Sequence, residues 1–340
     1  LGKGRTTIHD IARELNVTAS TVSRALKGNS TISEPTRKAV LAVAKKLNYK
    51  PNHIAAALRS GRSNIIGVIV PAADRSFFAK VIRGIEDEVA KAGYSVIVCQ
   101  TYEDYEKEKE VLDTLLRTRV DGIIASIAKQ STQFDHYRRL REEEVPLVLF
   151  DRKVESLGVG AVTIDDFRGA YLATEHLIQQ GCRRIAHFAG PQHIDIYKKR
   201  LQGYRQAMED QGLPLSDDLI LDCPSDVETG KACAAKLLQL SYPPDAIFSS
   251  SDYAALGAMQ FLKNRHINIP REMAIVGFAN EPFTSYVEPA LSTVDQHSHR
   301  MGRHAARLFL QEIASPQNDD PRKTILQPEL IIRASSLKKA

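Results

Sequence analysis

Ile8, Ile11, Ala12 and Leu15 recur at helical spacing, and only Asn16-Val17-Thr18 separates them from a second apolar face formed by Val22, Ala25 and Leu26. A break this short forces two helices to cross and to bury those faces on each other. Ala12 is small enough for a close crossing, Asn16 tolerates positive φ in the turn, and Thr18 is a natural N-cap for a helix over Ser20 to Leu26. A third helix starts from Ser33, with Glu34 and Pro35 in its first turn and Val40, Val43, Ala44 and Leu47 on its buried side. The pattern predicts a helix-turn-helix module at the amino end of the chain.

Charge separates this module from the rest. Residues 1–64 carry 12 Lys and Arg against 3 Asp and Glu, leaving 34 basic and 38 acidic residues among the remaining 276. A strongly basic module joined to a mildly acidic body suits one end meeting a polyanion. The plainer reading is a three-helix interaction module that binds no DNA. In a helix-turn-helix the second helix lies in the major groove, so Ala19, Ser20 and Arg24 face base edges, and Arg24 can pair twice with a guanine. Thr7, Thr18, Thr21, Ser23 and Asn29 suit phosphate contacts, which hold register but read little sequence, and Lys27, Lys50, Arg59 and Arg62 add counterion release. For each Ser or Thr, capping or solvation is the competing role.

Between Pro51 and Gly61, Asn52 can cap a short helix of good formers that is too short to stand alone. Such a segment forms on DNA with Leu58 as an apolar wedge into a minor-groove step, or it is a linker helix with Leu58 tucked against a neighbour.

The rest of the 340-residue chain is long enough for further domains, each with its own core. Short β-rich runs alternate with helical stretches, as in parallel βαβ units. Candidate strands are 65–70, 95–99, 122–125, 147–150 and 162–164, then 185–188, 246–249 and 274–277. The intervening helices are 78–92, 106–117, 169–179, 200–211, 228–240 and 253–263. Two doubly wound parallel sheets result.

Thr6-Thr7-Ile8-His9-Asp10-Ile11-Ala12, Val22-Ser23-Arg24-Ala25-Leu26 and Asn48-Tyr49-Lys50-Pro51-Asn52 through Leu58 resemble the lactose/galactose repressor family. The likeness continues through Ile65-Ile66-Gly67-Val68, Arg119-Val120-Asp121-Gly122-Ile123, Asp252 with Ala254 to Ala258, and Ile275-Val276-Gly277-Phe278. It implies a helix-turn-helix headpiece over 1–60 with a hinge helix at 52–59, and a core of the type I periplasmic-binding-protein kind. The first core subdomain is expected at 64–161 and 296–322, the second at 162–295 and 323–334. Three crossings are implied, near Val162, near Asp295 and before Leu326, with 298–313 a helix of the first subdomain and 325–333 returning to the second. The resemblance further implies a dimeric, ligand-controlled repressor on a near-palindromic, double-stranded operator, with Asn52, Ala55, Leu58 and Arg59 at the DNA.

In doubly wound sheets ligands bind beyond the carboxyl ends of the strands, so two facing sheets make a closable cleft. By the resemblance, Phe77 and Phe78 stack on the ligand, Asp166 lies at the crossover, and Arg200 and Asp252 hydrogen-bond its polar groups. The phenylalanines also suit a plain helix core. Where many family members have an Asp that grips sugar hydroxyls, this chain has Ala279, followed by Asn280 and Glu281. With Arg75, Lys198, Lys199 and Arg200 nearby in sequence, a sugar phosphate or sugar acid is as open as a neutral sugar. Ser225 and Ile194, where purine-responsive members carry an aromatic and an Arg, speak against a purine.

No P-loop, His-Glu-x-x-His helix or Gly-x-Ser-x-Gly elbow appears, so no catalytic residue and no cofactor is expected. His297, His299 and His304 lack neighbouring ligands at metal spacing and read as structural, with no metal expected. Cys99, Cys182, Cys223 and Cys233 form no paired motif and read as reduced packing residues. The run 65–70 is too short to span a membrane and no apolar segment opens the chain, which points to a cytoplasmic protein. The seven residues after Arg333 are too short for a heptad tail, so a dimer is expected. The alternative function is a sugar-binding body whose basic module serves a partner other than DNA.

Overall fold

The computed structural model describes residues 6–49, 62–315 and 322–338. The chain divides into a small unit within Leu1–Ser63 and a large one within Asn64–Ala340.

The small unit contains α1 (Ile8–Glu14), α2 (Ala19–Leu26) and α3 (Glu34–Lys46). The first two begin where a side chain satisfies free amide groups, and the third opens with Pro35 in its first turn. Asp10 accepts from both the backbone N–H and the hydroxyl of Thr7, at 2.8 Å each, and Thr18 Oγ1 accepts from Thr21 N at 3.2 Å. Asn16 takes a φ of 51° between α1 and α2. Ile11, Ala12, Val22, Ala25, Val40 and Ala44 form the core where the helices meet. Asn52, Ala55, Leu58 and Arg59, and with them the hinge helix, lie outside the described residues.

The large unit starts with β1 (Ile65–Val70), α4 (Ser76–Val89), β2 (Ser95–Gln100), α5 (Tyr105–Arg117), β3 (Ile123–Ala125), α6 (Asp135–Glu142), β4 (Leu147–Phe150) and β5 (Gly160–Ile164). It continues through α7 (Asp166–Gln179), β6 (Ile185–Ala189), α8 (Asp195–Asp210), β7 (Ile220–Asp222), α9 (Val227–Leu238), β8 (Ala246–Ser249), α10 (Asp252–Asn264) and β9 (Ala274–Val276). The last elements are β10 (Thr293–Asp295), α11 (Ser298–Ala314), β11 (Lys323–Leu326) and β12 (Glu329–Ile331). One sheet has the order β11-β5-β4-β3-β1-β2 and a second β7-β6-β8-β9, both parallel throughout, while β10 and β12 form an antiparallel pair. Strands such as β1 and β4, buried almost along their whole length, carry the continuous apolar runs of a sheet covered on both faces.

The pairing moves two of the crossings read from sequence. β5 belongs whole to the first sheet, so that crossing follows Ile164 and does not fall near Val162. β11 pairs with β5, through Leu326↔Ile164, so Ile325 and Leu326 stay with the first sheet and the chain leaves it only before β12. The pairing of strands far apart in the chain, which no local pattern encodes, decides this. Three helices also begin earlier than their apolar periodicity: α4 at Ser76, α7 at Asp166 and α8 at Asp195. The first turns of α7 and α8 open on charged residues, Asp166 and Asp195, which apolar periodicity passes over.

Where α4 crosses α11, a Cβ on Gly84 would lie 2.2 Å from the carbonyl oxygen of His299, and one on Gly302 would lie 2.0 Å from that of Val81. Backbone-to-backbone contact of this kind leaves no flexible group to yield. Gly84→Val is therefore expected to destabilise the body by about 1–3 kcal/mol, read as a lower urea midpoint with an unchanged slope.

Candidate nucleic-acid interface and ligand cleft

On α2, Val22 and Ala25 are buried against α1 and α3, which turns Ser20 and Arg24 outward to solvent. Ala19, Thr21 and Ser23 are half-buried at the edges of that face. The sequence-predicted contact residues thus share one exposed helix face, but several hydroxyls already work within the protein. Thr18 Oγ1 lies 2.8 Å from Ser20 Oγ and 2.9 Å from Thr21 Oγ1, and Thr7 closes its box with Asp10. Asn29 Oδ1 accepts from the backbone and hydroxyl of Thr31 at 2.9 and 2.8 Å, which leaves its amide N–H groups for another acceptor.

In the large unit, loops at the carboxyl ends of the two sheets face each other across a cleft. The first sheet contributes Arg75 after β1, Glu103 after β2, Lys129 after β3, and Asp151 and Arg152 after β4. The second contributes His193, Tyr197 and Arg200 after β6, Ser225 after β7, Ser250 and Asp252 after β8, and Ala279 to Glu281 after β9. Tyr102, Glu103, Asp151, Ala279 and Asn280 all hold positive φ, with Ala279 at 131°. A bulkless glycine would relax that conformation, so its presence at alanine concentrates strain in these loops.

Arg200 is the best-connected of the predicted residues. It is 4% exposed, pairs with Asp166 Oδ1 through two nitrogens at 2.8 Å each, donates to Ser250 O at 2.9 Å, and stacks 3.7 Å over the Phe278 ring. Burial pushes the Asp166 carboxyl up to about 7 against the pull of Arg200, and Asp151 nearby adds to the rise. Asp252 is spent on its own protein: Oδ1 accepts from Thr293 Oγ1 at 2.6 Å and Oδ2 from Glu281 N at 2.8 Å. Burial raises it to about 7. Phe77 and Phe78 meet edge to face at 5.0 Å and sit in the core beside Phe150. Ala279 donates its backbone N–H to Val294 O at 3.0 Å.

Sequence reasoning missed Glu103, Asp151, Arg152, Tyr197 and Glu281. The usable signal was position, a charged residue at or just past a strand end. Arg152 forms two bonds to Glu103, at 2.6 and 2.9 Å, and donates to Ile127 O at 2.8 Å. Tyr197 Oη lies 3.2 Å from Ser225 Oγ, and although its burial raises its pKa, Lys129, Arg152 and Arg200 bring it below the ordinary phenol value. The expected basic mouth is also corrected. Lys199 pairs with Asp195 at 2.8 Å, and Arg152 and Arg200 are each held by a carboxylate of the protein. Among the described residues, no cluster of three or more His, Cys, Asp or Glu could hold a metal ion, and no helix is long and apolar enough to cross a membrane.

Residues 7–52 match the model for bacterial regulatory proteins of the lacI family, and residues 63–334 match that for periplasmic binding proteins and the sugar binding domain of the LacI family. The chain belongs to the lacI family of bacterial regulatory proteins. It is 33% identical to a ribose operon repressor of Halalkalibacterium halodurans over 97% of both chains. It is also similar to a transcriptional regulator solved as a CelR–cellobiose complex, with a TM-score of 0.74 and 28% identity over 97% of this chain and 100% of the other. The lac repressor dimer bound to operator and the anti-inducer ONPF shares the fold at a TM-score of 0.87, with 23% identity over 98% and 99% of the two chains. This lacI-family chain is accordingly a DNA-binding transcriptional regulator with a ligand-binding body.

Because Asp166 and Asp252 titrate near 7 when folded and near 3.8 otherwise, the folded body holds protons in that interval which the unfolded chain has released. These two groups therefore contribute stability that falls as pH rises from about 4 to about 7. Asp252→Asn is expected to remove up to one proton's share of that slope, at most about 1.4 kcal/mol per pH unit, measured by urea unfolding across the interval.

Proposed function

We propose that the protein is a repressor that binds a near-palindromic operator as a homodimer and senses a neutral sugar in the cleft. The observation that carries the ligand class is the pairing of the cleft arginines. Arg152 is held by Glu103 and Arg200 by Asp166, while Arg75 donates to Ser225 O at 3.0 Å. An anionic ligand would have to displace a protein carboxylate to reach Arg152 or Arg200, and it would meet Asp151 and Glu281 as like charges. A ligand rich in hydroxyls instead donates to carboxylates and accepts from Tyr197 and Ser225 without a net charge to bury. The names of relatives agree, since one represses a ribose operon and another was solved with cellobiose.

The subdomains are read as 64–164 with 296–326, and 165–295 with 327–334, following the sheet pairing. The cleft groups are bound to each other rather than poised on a reacting atom, and the relatives are regulators, which supports a binding role without catalysis. A DNA-binding regulator works in the cytoplasm. Ligand occupancy acts on DNA by shifting a two-state equilibrium of the body that the segment 52–59 passes to the headpiece. Arg24, exposed and aimed outward, reads a base beside Ala19 and Ser20, with Thr18, Thr21 and Ser23 on the flanking backbone.

Arg24→Ala should reduce discrimination between operator and random duplex by about 1–3 kcal/mol while leaving the salt slope of non-specific binding nearly intact. Mobility shifts over a salt series separate the two, and equal loss on both duplexes would remove Arg24 from base reading. Calorimetry with paired pentoses, hexoses and their phosphates tests the ligand class: heat from neutral members alone is expected, and binding confined to the phosphates would overturn it.

A further inference from the structure

The second subdomain delivers one charged group to the first, and the first returns one. Helix α4 opens at Ser76, and its N-cap residue is Arg75, whose side chain provides no cap for the free amide groups of the first turn. The Glu281 carboxyl, carried on the loop after β9, faces the N–H groups of Phe77 and Ser76 and lies near Arg75 and Lys80. Glu281 is 3% exposed, and its Oε2 completes no hydrogen bond. A buried carboxylate with an unfilled oxygen at the positive end of a helix is held there by charge and by the helix dipole. Arg75 reaches the opposite way, donating to Ser225 O at 3.0 Å and lying 4.7 Å over the Tyr253 ring.

The loop carrying Glu281 is built to aim it. Asp252 fixes Glu281 N, Arg333 donates to Asn280 Oδ1 at 2.9 Å, and Asn280 Nδ2 reaches Asp295 Oδ2 at 3.1 Å. Positive φ at Ala279 and Asn280 is retained under these restraints.

We infer that Arg75 and Glu281 form a reciprocal clasp that holds the cleft shut before any ligand arrives. The clasp does not depend on which ligand the cleft takes. Each member anchors on backbone of the opposite subdomain, so opening costs both contacts at once. A ligand must break the clasp to enter and regains it on closure, which makes the clasp a setting of the resting open-to-closed ratio.

The test uses the full chain without ligand, carrying Glu281→Gln, which keeps the side-chain volume, and Arg75→Gln, alone and together. Hydrogen exchange at the amides of Ser76 and Phe77 should quicken at least about tenfold with Glu281→Gln. The first turn of α5 is the internal control, because its own Asp104 caps it through Lys107 N at 2.7 Å. Spin labels at Glu106→Cys and Lys198→Cys, with Cys99→Ser, report the distance between subdomains. Either substitution should lengthen and broaden that distance, and the double variant should open at least as far as the larger single change. Faster exchange with an unchanged distance would reduce Glu281 to a local helix cap and overturn the clasp, as would no change in either readout. A melting curve for each variant confirms that the fold persists.

Discussion

The wall of the cleft on the second subdomain depends on one ion pair, Arg200 with Asp166. A guanidinium and a carboxylate taken out of water are costly unless every remaining donor finds a partner. Here the pair draws in the end of β8 through Ser250 O and the loop after β9 through the Phe278 ring. One interaction thereby ties together the starts of α7 and α8 and the ends of two strands. The same buried charge explains why the Asp166 carboxyl is pushed up: solvent that would stabilise its ionised form is absent, and Asp151 stands close by.

A second theme is that helix starts and strand ends converge. Parallel sheets bring all carboxyl ends to one edge, and each following helix begins there with unpaired amide groups. Asp166 and Asp252 occupy first helical positions, and the Glu281 carboxyl supplies negative charge to α4 from across the cleft. Some of the positive-φ residues lie at the same edge, among them Asp151 and Ala279 with Asn280. Geometry that a sheet cannot avoid thus becomes the geometry of the ligand site.

In the described headpiece helices, by contrast, the core and the helix starts were legible. The spacing of Ile11, Val22, Ala25 and Val40 forecasts the core, and Thr18 and Ser33 forecast where helices start, because caps and faces are set by neighbours a few residues apart. The exposed face of α2 follows by exclusion, since what is not buried there is turned to solvent. The body was legible as alternating strands and helices, but α4, α7 and α8 begin ahead of their apolar periodicity.

Sequence alone determined the periodicities, the charge contrast between the two units, and the order of strands and helices along the chain, all of which are local or additive properties. Tertiary structure decided the rest: that β11 lies beside β5, that Arg152 takes Glu103 and Arg200 takes Asp166, and that Asp252 is spent on Thr293 and Glu281. Charged residues near a strand end announce a site, but which of them are neutralised by one another depends on distances between groups tens or hundreds of residues apart. That pairing, absent from any local pattern, leaves Arg152, Lys199 and Arg200 already held by carboxylates of the protein.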